Sequence, residues 1–194
     1  MLDFDAGLKE LCSKLVSELD AGRNPICLID GRAGSGKTLF AKSLSDCIFS
    51  QLKQAPRVIH MDDLYPGWEG LLAGSAYLTE LILTPLSKGR SANWQIWDWE
   101  NGRRGSAAEP GNGRREFSLE TALIVEGCGS LSRANAELAD IAVWLESDLA
   151  LRRDRYSKRD QGRFDQYFGI WAAQEDEFYE REKSPQLAQF VISN

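Results

Sequence analysis

The stretch with the clearest chemical signature runs from Gly31 to Thr38 and reads GRAGSGKT. Its spacing fits the pattern G-x-x-x-x-G-K-[ST], in which glycines let the backbone turn tightly so that successive N–H groups point at phosphate oxygens. Lys37 adds a charge for the β- and γ-phosphates, and Thr38 adds a hydroxyl for Mg²⁺. The residues expected to contact a nucleotide are Gly31, Ala33, Gly34, Ser35, Gly36, Lys37, Thr38 and Leu39.

The flanks of this loop have the pattern that the motif requires. Residues 25–30, PICLID, form a short apolar run typical of a buried parallel strand. Residues 39–48 carry apolar side chains at helical spacing. A phosphate loop between a strand and a helix predicts binding of a nucleoside triphosphate, with ATP and Mg²⁺ as the expected cofactors. The loop alone does not choose among GTPases, motor ATPases and small-molecule kinases.

Acidic residues follow two further strand-like runs. Asp62 and Asp63 come directly after RVIHM, and Glu126 follows ALIV. Ligands gather at the carboxyl ends of strands in open α/β sheets, so these carboxylates are expected beside the phosphate loop. Phosphoryl transfer to an alcohol needs a carboxylate that accepts the hydroxyl proton and groups that hold Mg²⁺. Asp62 is the candidate base, Glu126 with Thr38 the candidate metal site, and Asp63 is expected to face away on an extended segment.

A basic segment lies near the end of the chain. Residues 152–163, RRDRYSKRDQGR, contain six lysine or arginine residues and two aspartates. Kinases use basic lids of this kind to neutralise charge on the transferring phosphoryl group. We expect a lid over about 152–164, with Arg155, Arg159 and Arg163 near the phosphates. The alternative is a solvated helix face whose arginines pair with neighbouring aspartates.

Strand-like and helical runs alternate along the chain. Together with the phosphate loop and the basic segment, this alternation predicts an α/β fold of the P-loop nucleoside triphosphate hydrolase class, with a mostly parallel central sheet, helices on both faces and a basic lid. The length of 194 residues fits a single domain over 1–194. The other expected strands are 140–146 and 189–193, and the other expected helices are 8–19, 68–88, one from about Asp148, and one that carries Phe164, Phe168, Trp171, Glu175 and Phe178. Residues 93–99 are expected to be extended, and 101–115 to form a glycine-rich loop with a solvated tip flanked by Arg103, Arg104, Arg114 and Arg115.

Composition and charge limit the classes of binding partner that we expect. The net charge of −6 argues against duplex nucleic acid, which usually meets a basic face, and no apolar run is long enough to cross a bilayer. Cys12, Cys27, Cys47 and Cys128 have no short metal-ligand spacing and lie in apolar patterns, so free buried thiols are expected. These thiols, and a first segment unlike a signal peptide, predict a cytoplasmic protein. The expected partners are a nucleotide and a small-molecule acceptor, and the sequence sets no oligomeric state.

Short motifs across most of residues 25–192 resemble uridine kinases and related phosphoribulokinase-like enzymes in their order and spacing. MDDLYPGW resembles the D-S-F-Y segment of that family, so Asp62 takes the place of its base and Tyr65 that of its aromatic residue. LIVEG resembles the strand end V-E-G, which places Glu126 near the metal. VWLESDLALRRDRYSKRD resembles the segment that leads into the family's lid.

The run IWDW resembles the family's Y-D-F and implies that Trp97 and Asp98, together with Tyr65, contact the acceptor. The family has a histidine shortly after Y-D-F, whereas Gly102 falls near that position here and the only histidine is His60. The resemblance implies an ATP-dependent small-molecule kinase. Its implied catalytic residues are Asp62, Lys37, Arg155 and Arg159.

The acceptor stays open at this point. DDLYP also resembles the D-A-L-H-P of gluconate kinases, and IDGRAGSGK resembles the start of cytidylate kinases. The alternatives within kinases are a nucleoside or sugar-like acceptor, a nucleoside monophosphate and a gluconate-type acid. A non-catalytic nucleotide-binding sensor or scaffold is the alternative of another class. Asp62 and the basic lid together argue against it, since a pure binder needs neither.

Overall fold

The computed structural model describes residues 1–105, 113–159 and 161–194, so part of the expected loop at 101–115 and residue 160 of the expected lid lie outside the described residues. The strands are β1 (Leu2–Asp3), β2 (Ile26–Asp30), β3 (Arg57–His60), β4 (Ala92–Gln95), β5 (Trp97–Asp98), β6 (Arg103–Arg104), β7 (Arg114–Phe117), β8 (Leu123–Glu126), β9 (Ile141–Glu146) and β10 (Phe190–Ser193). The helices are α1 (Phe4–Asp20), α2 (Lys37–Leu52), α3 (Leu71–Leu78), α4 (Thr84–Ser87), α5 (Arg133–Ala136), α6 (Leu149–Arg159), α7 (Phe168–Glu182) and α8 (Ser184–Leu187). Each of these helices is too short or too polar to traverse a membrane.

A parallel sheet forms the centre of the described structure. Its strand order is β1-β10-β9-β2-β8-β3, and β2 pairs with β8 on one side and β9 on the other. All five residues of β2 are buried, because strands on both sides and helices on both faces cover it. The predicted α/β class with a mostly parallel sheet is confirmed, and the five expected sheet strands lie within one residue of their predicted bounds.

The core lies in two layers, one on each face of this sheet. Alternate residues of β2 point to opposite faces, since side chains alternate along a strand. Leu28 joins the cluster that contains Leu71 of α3 and Phe178 of α7. Ile29 joins the cluster that contains Leu11 of α1 and Leu44 of α2. The sheet is therefore fixed from both sides, and its carboxyl edge is a rigid base for the loops that follow the strands.

Some elements differ from the prediction because tertiary pairing overrides the local pattern. Residues 93–99 do not form one extended segment: β4 pairs with β7 and β5 with β6, as two small antiparallel hairpins outside the central sheet. The expected loop at 101–115 therefore includes β6 and the first residues of β7. The expected helix at 68–88 begins at Leu71 and contains a π-helical turn over Thr79–Leu83. Phe164 lies before α7 rather than in it.

Two of the four cysteines are not free, so the expectation of four buried thiols is wrong. Cys12 of α1 and Cys47 of α2 form a disulfide, while Cys27 and Cys128 are buried free thiols. The two helices pack side by side and bring the Cα atoms of the pair to 6.2 Å, within the range that a disulfide needs. Helical periodicity shows which face of each helix is buried but not which helix it meets. The prediction of a cytoplasmic location therefore loses the support that four free thiols would have given it.

The disulfide links residues 35 positions apart, and its loss should cost stability. Cys12→Ser is expected to lower the free energy of unfolding by about 2–4 kcal/mol, since the crosslink restricts the unfolded chain. Urea denaturation with and without dithiothreitol measures this change. The reduced parent and the reduced variant serve as the matched control, because they should unfold at similar urea concentrations. If dithiothreitol did not change the urea concentration at which half of the parent protein is unfolded, the disulfide would be contradicted.

Candidate active site

The loop between β2 and α2 wraps tightly at the carboxyl edge of the sheet. Gly34 and Gly36 have φ of +79° and +94°, in the left-handed region that favours glycine. A Cβ on Gly34 would lie 2.3 Å from the carbonyl oxygen of Arg152. Arg152 is buried and donates to the carbonyl of Ala33 at 3.3 Å. The start of α6 is therefore packed directly on the loop, a contact that the sequence pattern did not show.

Lys37 lies across this loop, almost wholly buried. Its Nζ donates to the carbonyls of Gly31 at 2.7 Å and Arg32 at 3.0 Å, and lies 3.4 Å from Sγ of Cys128. Burial alone would lower the pKa of Lys37, but the negative charge of neighbouring groups, Glu126 among them, outweighs it and raises that pKa. The ammonium is therefore charged at neutral pH and available to phosphate oxygens.

Two buried carboxylates hold the back of the loop. Glu175 of α7 accepts the N–H of Ala33 at 2.6 Å and lies 3.6 Å from Arg32. Asp30 accepts from the N–H of Gly31 at 2.6 Å and the hydroxyl of Tyr179 at 2.7 Å. Burial raises the pKa of Asp30 to about 6, against the opposing effect of these hydrogen bonds. Sequence reasoning gave neither carboxylate a role, although Asp30 ends an apolar strand and Glu175 interrupts an aromatic helix face.

Thr38 and Glu126, the two residues predicted to hold Mg²⁺, are in contact. Thr38 Oγ1 donates to Glu126 Oε1 at 3.1 Å, and His60 Nδ1 donates to the same oxygen at 2.6 Å. This hydrogen bond to Glu126 raises the pKa of His60. A hydroxyl and a carboxylate beside a phosphate loop suit Mg²⁺, which takes few protein oxygens and completes its shell with phosphates and water. The described residues contain no cluster of three acidic, histidine or cysteine side chains able to hold a metal alone.

Asp62 lies in a 3₁₀ turn, Met61–Asp63, directly after β3. The turn lines a cleft of about 930 Å³ that also contains the phosphate loop. Crowding by the protein around the carboxylate and the charge of Glu126 raise the pKa of Asp62, against the opposing charges of Arg159 and Lys37. Asp63 also lines the cleft, so the expectation that it faces away is wrong. The reason is the turn, since alternation of sides holds only in an extended strand.

The basic segment reaches the same cleft from α6 and the turn after it. Arg155, Arg159 and Arg163 all line it. Arg155 donates to Ser147 Oγ and to Asn194 Oδ1, both at 3.4 Å. The Asn194 amide in turn donates to the carbonyl of Ser35 at 2.8 Å, which ties the end of β10 to the loop. The three arginines proposed from sequence are thus brought together beside the phosphate loop.

The cleft includes only part of the predicted loop set. Ala33, Gly34, Gly36, Lys37 and Thr38 line it. Gly31 and Ser35 are buried within the loop and do not line the cleft, and Leu39 is 60% exposed on the first turn of α2.

Of the residues predicted to contact the acceptor, one borders the cleft and two do not. Tyr65 borders the cleft, but it is buried and its hydroxyl donates to the carbonyl of Cys128 at 2.7 Å. Trp97 and Asp98 lie outside the cleft. Trp97 lies beside Arg104, and Asp98 accepts backbone N–H groups at the tip of the β5–β6 hairpin.

Trp99 takes the place in the cleft that the prediction gave to Trp97. Its Nε1 donates to the carbonyl of Asp62 at 2.9 Å, because the chain leaves β5 at this point and the hairpin tip folds over the 3₁₀ turn. Trp68 and Trp171 line the same wall. Trp99 is two positions from Trp97 in the same IWDW run, so the run itself signals an aromatic residue at this wall.

Arg104 is more than a solvated hairpin residue, which corrects the expectation for this position. Its guanidinium donates to the carbonyls of Leu64 at 2.5 Å and Gln95 at 2.8 Å and lies 3.7 Å from the centre of the Tyr77 ring. These bonds join the β5–β6 hairpin to the residue that follows the Asp62 turn. Arg104 thereby fixes one wall of the cleft.

Comparison with known proteins identifies solved structures of similar fold. No protein-family model and no curated protein sequence matches the chain. The structure of a possible uridine kinase from Bacillus stearothermophilus matches with a TM-score of 0.62 and 21% identity, over 95% of this chain and 98% of that chain. A candidate fructose transport system kinase from Silicibacter sp. TM1040 matches with a TM-score of 0.58 and 18% identity, over 95% of this chain and 98% of that chain. The YGR205w protein matches with a TM-score of 0.58 and 11% identity, over 100% of this chain and 94% of that chain.

The chain therefore has the fold of P-loop kinases, in agreement with the sheet topology and the loop described above. The resemblance to uridine kinase-like enzymes is confirmed at the level of the fold. Which reaction the cleft carries out is a separate question, since one fold supports several activities.

Lys37→Ala tests the loop as a nucleotide site. The variant removes the ammonium that meets the β- and γ-phosphates, so the affinity for Mg-ATP should fall at least tenfold. Isothermal calorimetry measures this affinity, with Lys42→Ala, an exposed residue of the same helix, as the control. Equal ATP affinity in parent and Lys37→Ala would show that the loop has been assigned wrongly.

Proposed function

We propose that this protein transfers the terminal phosphoryl group of ATP to a hydroxyl group of a small molecule, a nucleoside or sugar-like acceptor. The observation that carries the proposal is the position of Asp62. A carboxylate with a raised pKa opens on the same cleft as the phosphate loop and three arginines. Binding of a nucleotide alone needs the loop but no base, so this combination supports transfer.

In the proposed mechanism the loop holds the triphosphate. The N–H groups of the loop and the positive end of α2 face the phosphate oxygens. Lys37 exchanges the carbonyls of Gly31 and Arg32 for the β- and γ-phosphates. Glu175 and Asp30 keep the loop in place meanwhile, because both carboxylates are buried and accept N–H groups of the loop.

Thr38 and Glu126 would hold the Mg²⁺ that accompanies ATP. Mg²⁺ supplies positive charge that neutralises the β- and γ-phosphate oxygens. His60 orients Glu126 through its 2.6 Å hydrogen bond.

Asp62 acts as the base that accepts the proton of the acceptor hydroxyl. The acceptor hydroxyl oxygen forms a bond to the γ-phosphorus while its proton moves to a carboxylate oxygen of Asp62. The bond between the γ-phosphorus and the oxygen that bridges to the β-phosphate breaks, and ADP leaves. Arg155 and Arg159 compensate the charge that the equatorial oxygens carry during transfer. A raised pKa makes Asp62 a stronger base than an ordinary carboxylate.

If α6 and the following turn close on bound phosphates, Mg-ATP should protect them from trypsin. We expect cleavage after Arg155 and Arg159 to slow several-fold in the presence of Mg-ATP, because both arginines would then contact phosphate. Mass spectrometry of limited digests measures the rate at each site. Arg23, exposed in the turn before β2, is the internal control and should be cleaved at an unchanged rate. Equal rates at all three sites would favour a plain solvated helix.

Asp62→Asn separates transfer from binding. The amide keeps the shape of the carboxylate but cannot take the acceptor proton, so turnover should fall about a hundredfold or more, while Mg-ATP affinity stays near normal. Asp63→Asn should cost less, and Glu69→Gln, exposed on the same connection, is the matched control. The measurement is phosphorylation of an acceptor found in a panel of alcohols. Normal turnover by Asp62→Asn would contradict the proposed mechanism. If the parent phosphorylated no compound of the panel, a nucleotide sensor would be favoured.

A further inference from the structure

Asp30, the last residue of β2, is a fully buried carboxylate that accepts hydrogen bonds from three parts of the chain. Besides the N–H of Gly31 and the hydroxyl of Tyr179, it accepts the N–H of Gly129 at 3.1 Å and the N–H of Leu131 at 2.8 Å. Gly129 and Leu131 belong to the turn that follows β8. Burying a carboxylate is costly unless donors surround it, and these donors join the start of the phosphate loop to that turn.

The turn over residues 127–131 packs on its other side against the 3₁₀ turn of the candidate base. Tyr65 follows the 3₁₀ turn, and its hydroxyl donates to the carbonyl of Cys128 at 2.7 Å. The N–H of Tyr65 donates to the carbonyl of Met61 at 3.2 Å. A Cβ on Gly127 would lie 2.3 Å from the Cβ of Met61, so the two turns lie against each other. Tyr65 therefore joins the 3₁₀ turn to the turn that Asp30 holds.

These bonds form a continuous connection from the phosphate loop through Asp30, the turn over 127–131 and Tyr65 to the 3₁₀ turn, called here the Asp30–Tyr65 network. Strand pairing fixes the sheet only as far as Glu126, which lies opposite Ile29 of β2 and His60 of β3. Beyond that edge the network runs through both segments that would hold the reacting groups. A displacement of about 1 Å at a reacting group can slow a reaction about a hundredfold.

The contacts of Tyr65 are those of a residue held in the core. Its side chain is 1% exposed, and its ring packs edge-on against Trp171 with the ring centres 4.8 Å apart. We propose that Asp30 and Tyr65 are positioning residues for phosphoryl transfer, which set the distance between the phosphate loop and Asp62 without contacting the acceptor. The proposal rests on the proposed kinase function and replaces the acceptor contact that the sequence motif implied for Tyr65.

Tyr65→Phe removes the hydroxyl and keeps the ring. We expect kcat to fall about tenfold, because the base is no longer held at its distance from the phosphate, while KM for the acceptor and the affinity for Mg-ATP change by less than about twofold. Steady-state phosphorylation of the acceptor found in the panel and calorimetry with Mg-ATP measure these quantities. A rise in acceptor KM with unchanged kcat would show an acceptor contact, which would overturn the proposal and leave the kinase function standing.

A double-mutant cycle tests whether Asp30 and Tyr65 act through one network. Tyr65→Phe should cost about tenfold in kcat in the parent but less than about threefold in the Asp30→Asn background, because the connection is already broken there. Asp140, which accepts the N–H of Ile26 at 2.7 Å at the other end of β2, gives the matched control Asp140→Asn, whose effect should add to that of Tyr65→Phe. If Asp30→Asn does not fold, Tyr179→Phe replaces it, since it removes one donor from the same carboxylate. Losses that add fully would overturn the proposal.

Hydrogen exchange tests the network without an acceptor. Asp30→Asn should speed exchange several-fold at the N–H of Leu131, which it contacts, and also at the N–H of Leu64, which is bonded within the 3₁₀ turn. Both rates are divided by the rate at Leu15 of α1, so that a general loss of stability is removed, and Asp140→Asn should leave both ratios unchanged. Faster exchange at Leu131 alone would overturn the proposal. If the parent phosphorylates no compound, the kinase function fails, and this exchange still decides whether the network joins the two turns.

Discussion

The structure depends on a loop that must keep a row of N–H donors turned toward one side while its other side is held in the core. Buried carboxylates meet that requirement, since Asp30 and Glu175 accept N–H groups from behind the loop. Close contact with the Arg152 carbonyl leaves no room for a side chain at Gly34. A loop held this way is preorganised for phosphate, because little conformational freedom is left to lose on binding.

The parallel sheet turns this local device into a site. Strands β2, β3 and β8 are neighbours that run in the same direction, so the residues after them meet at one edge. That geometry brings Thr38, Asp62 and Glu126 together although 88 positions separate the first and the last. Helix α7 links the loop to the basic segment, since it follows that segment and carries Glu175, Tyr179 and Trp171 on its buried face.

The cleft joins two chemical environments. The loop and α6 supply positive charge, and the 3₁₀ turn and β5–β6 hairpin supply carboxylates and indole rings. Arg104 holds the second environment against the first through its bonds to Leu64 and Gln95. The small hairpins, which look peripheral in the fold, thereby shape that half of the cleft.

The sequence by itself determined the loop, the strands of the central sheet and the two carboxylates at its edge, because each rests on local spacing: glycines in a turn, apolar runs, acids at strand ends. Tertiary structure decided what local spacing does not encode. It paired Cys12 with Cys47, and it placed Trp99 rather than Trp97 in the cleft. It also turned Asp63 toward the site. Each of these outcomes depends on which distant element packs against a residue, and a period of 2 or 3.6 residues says which face is buried but not what covers it.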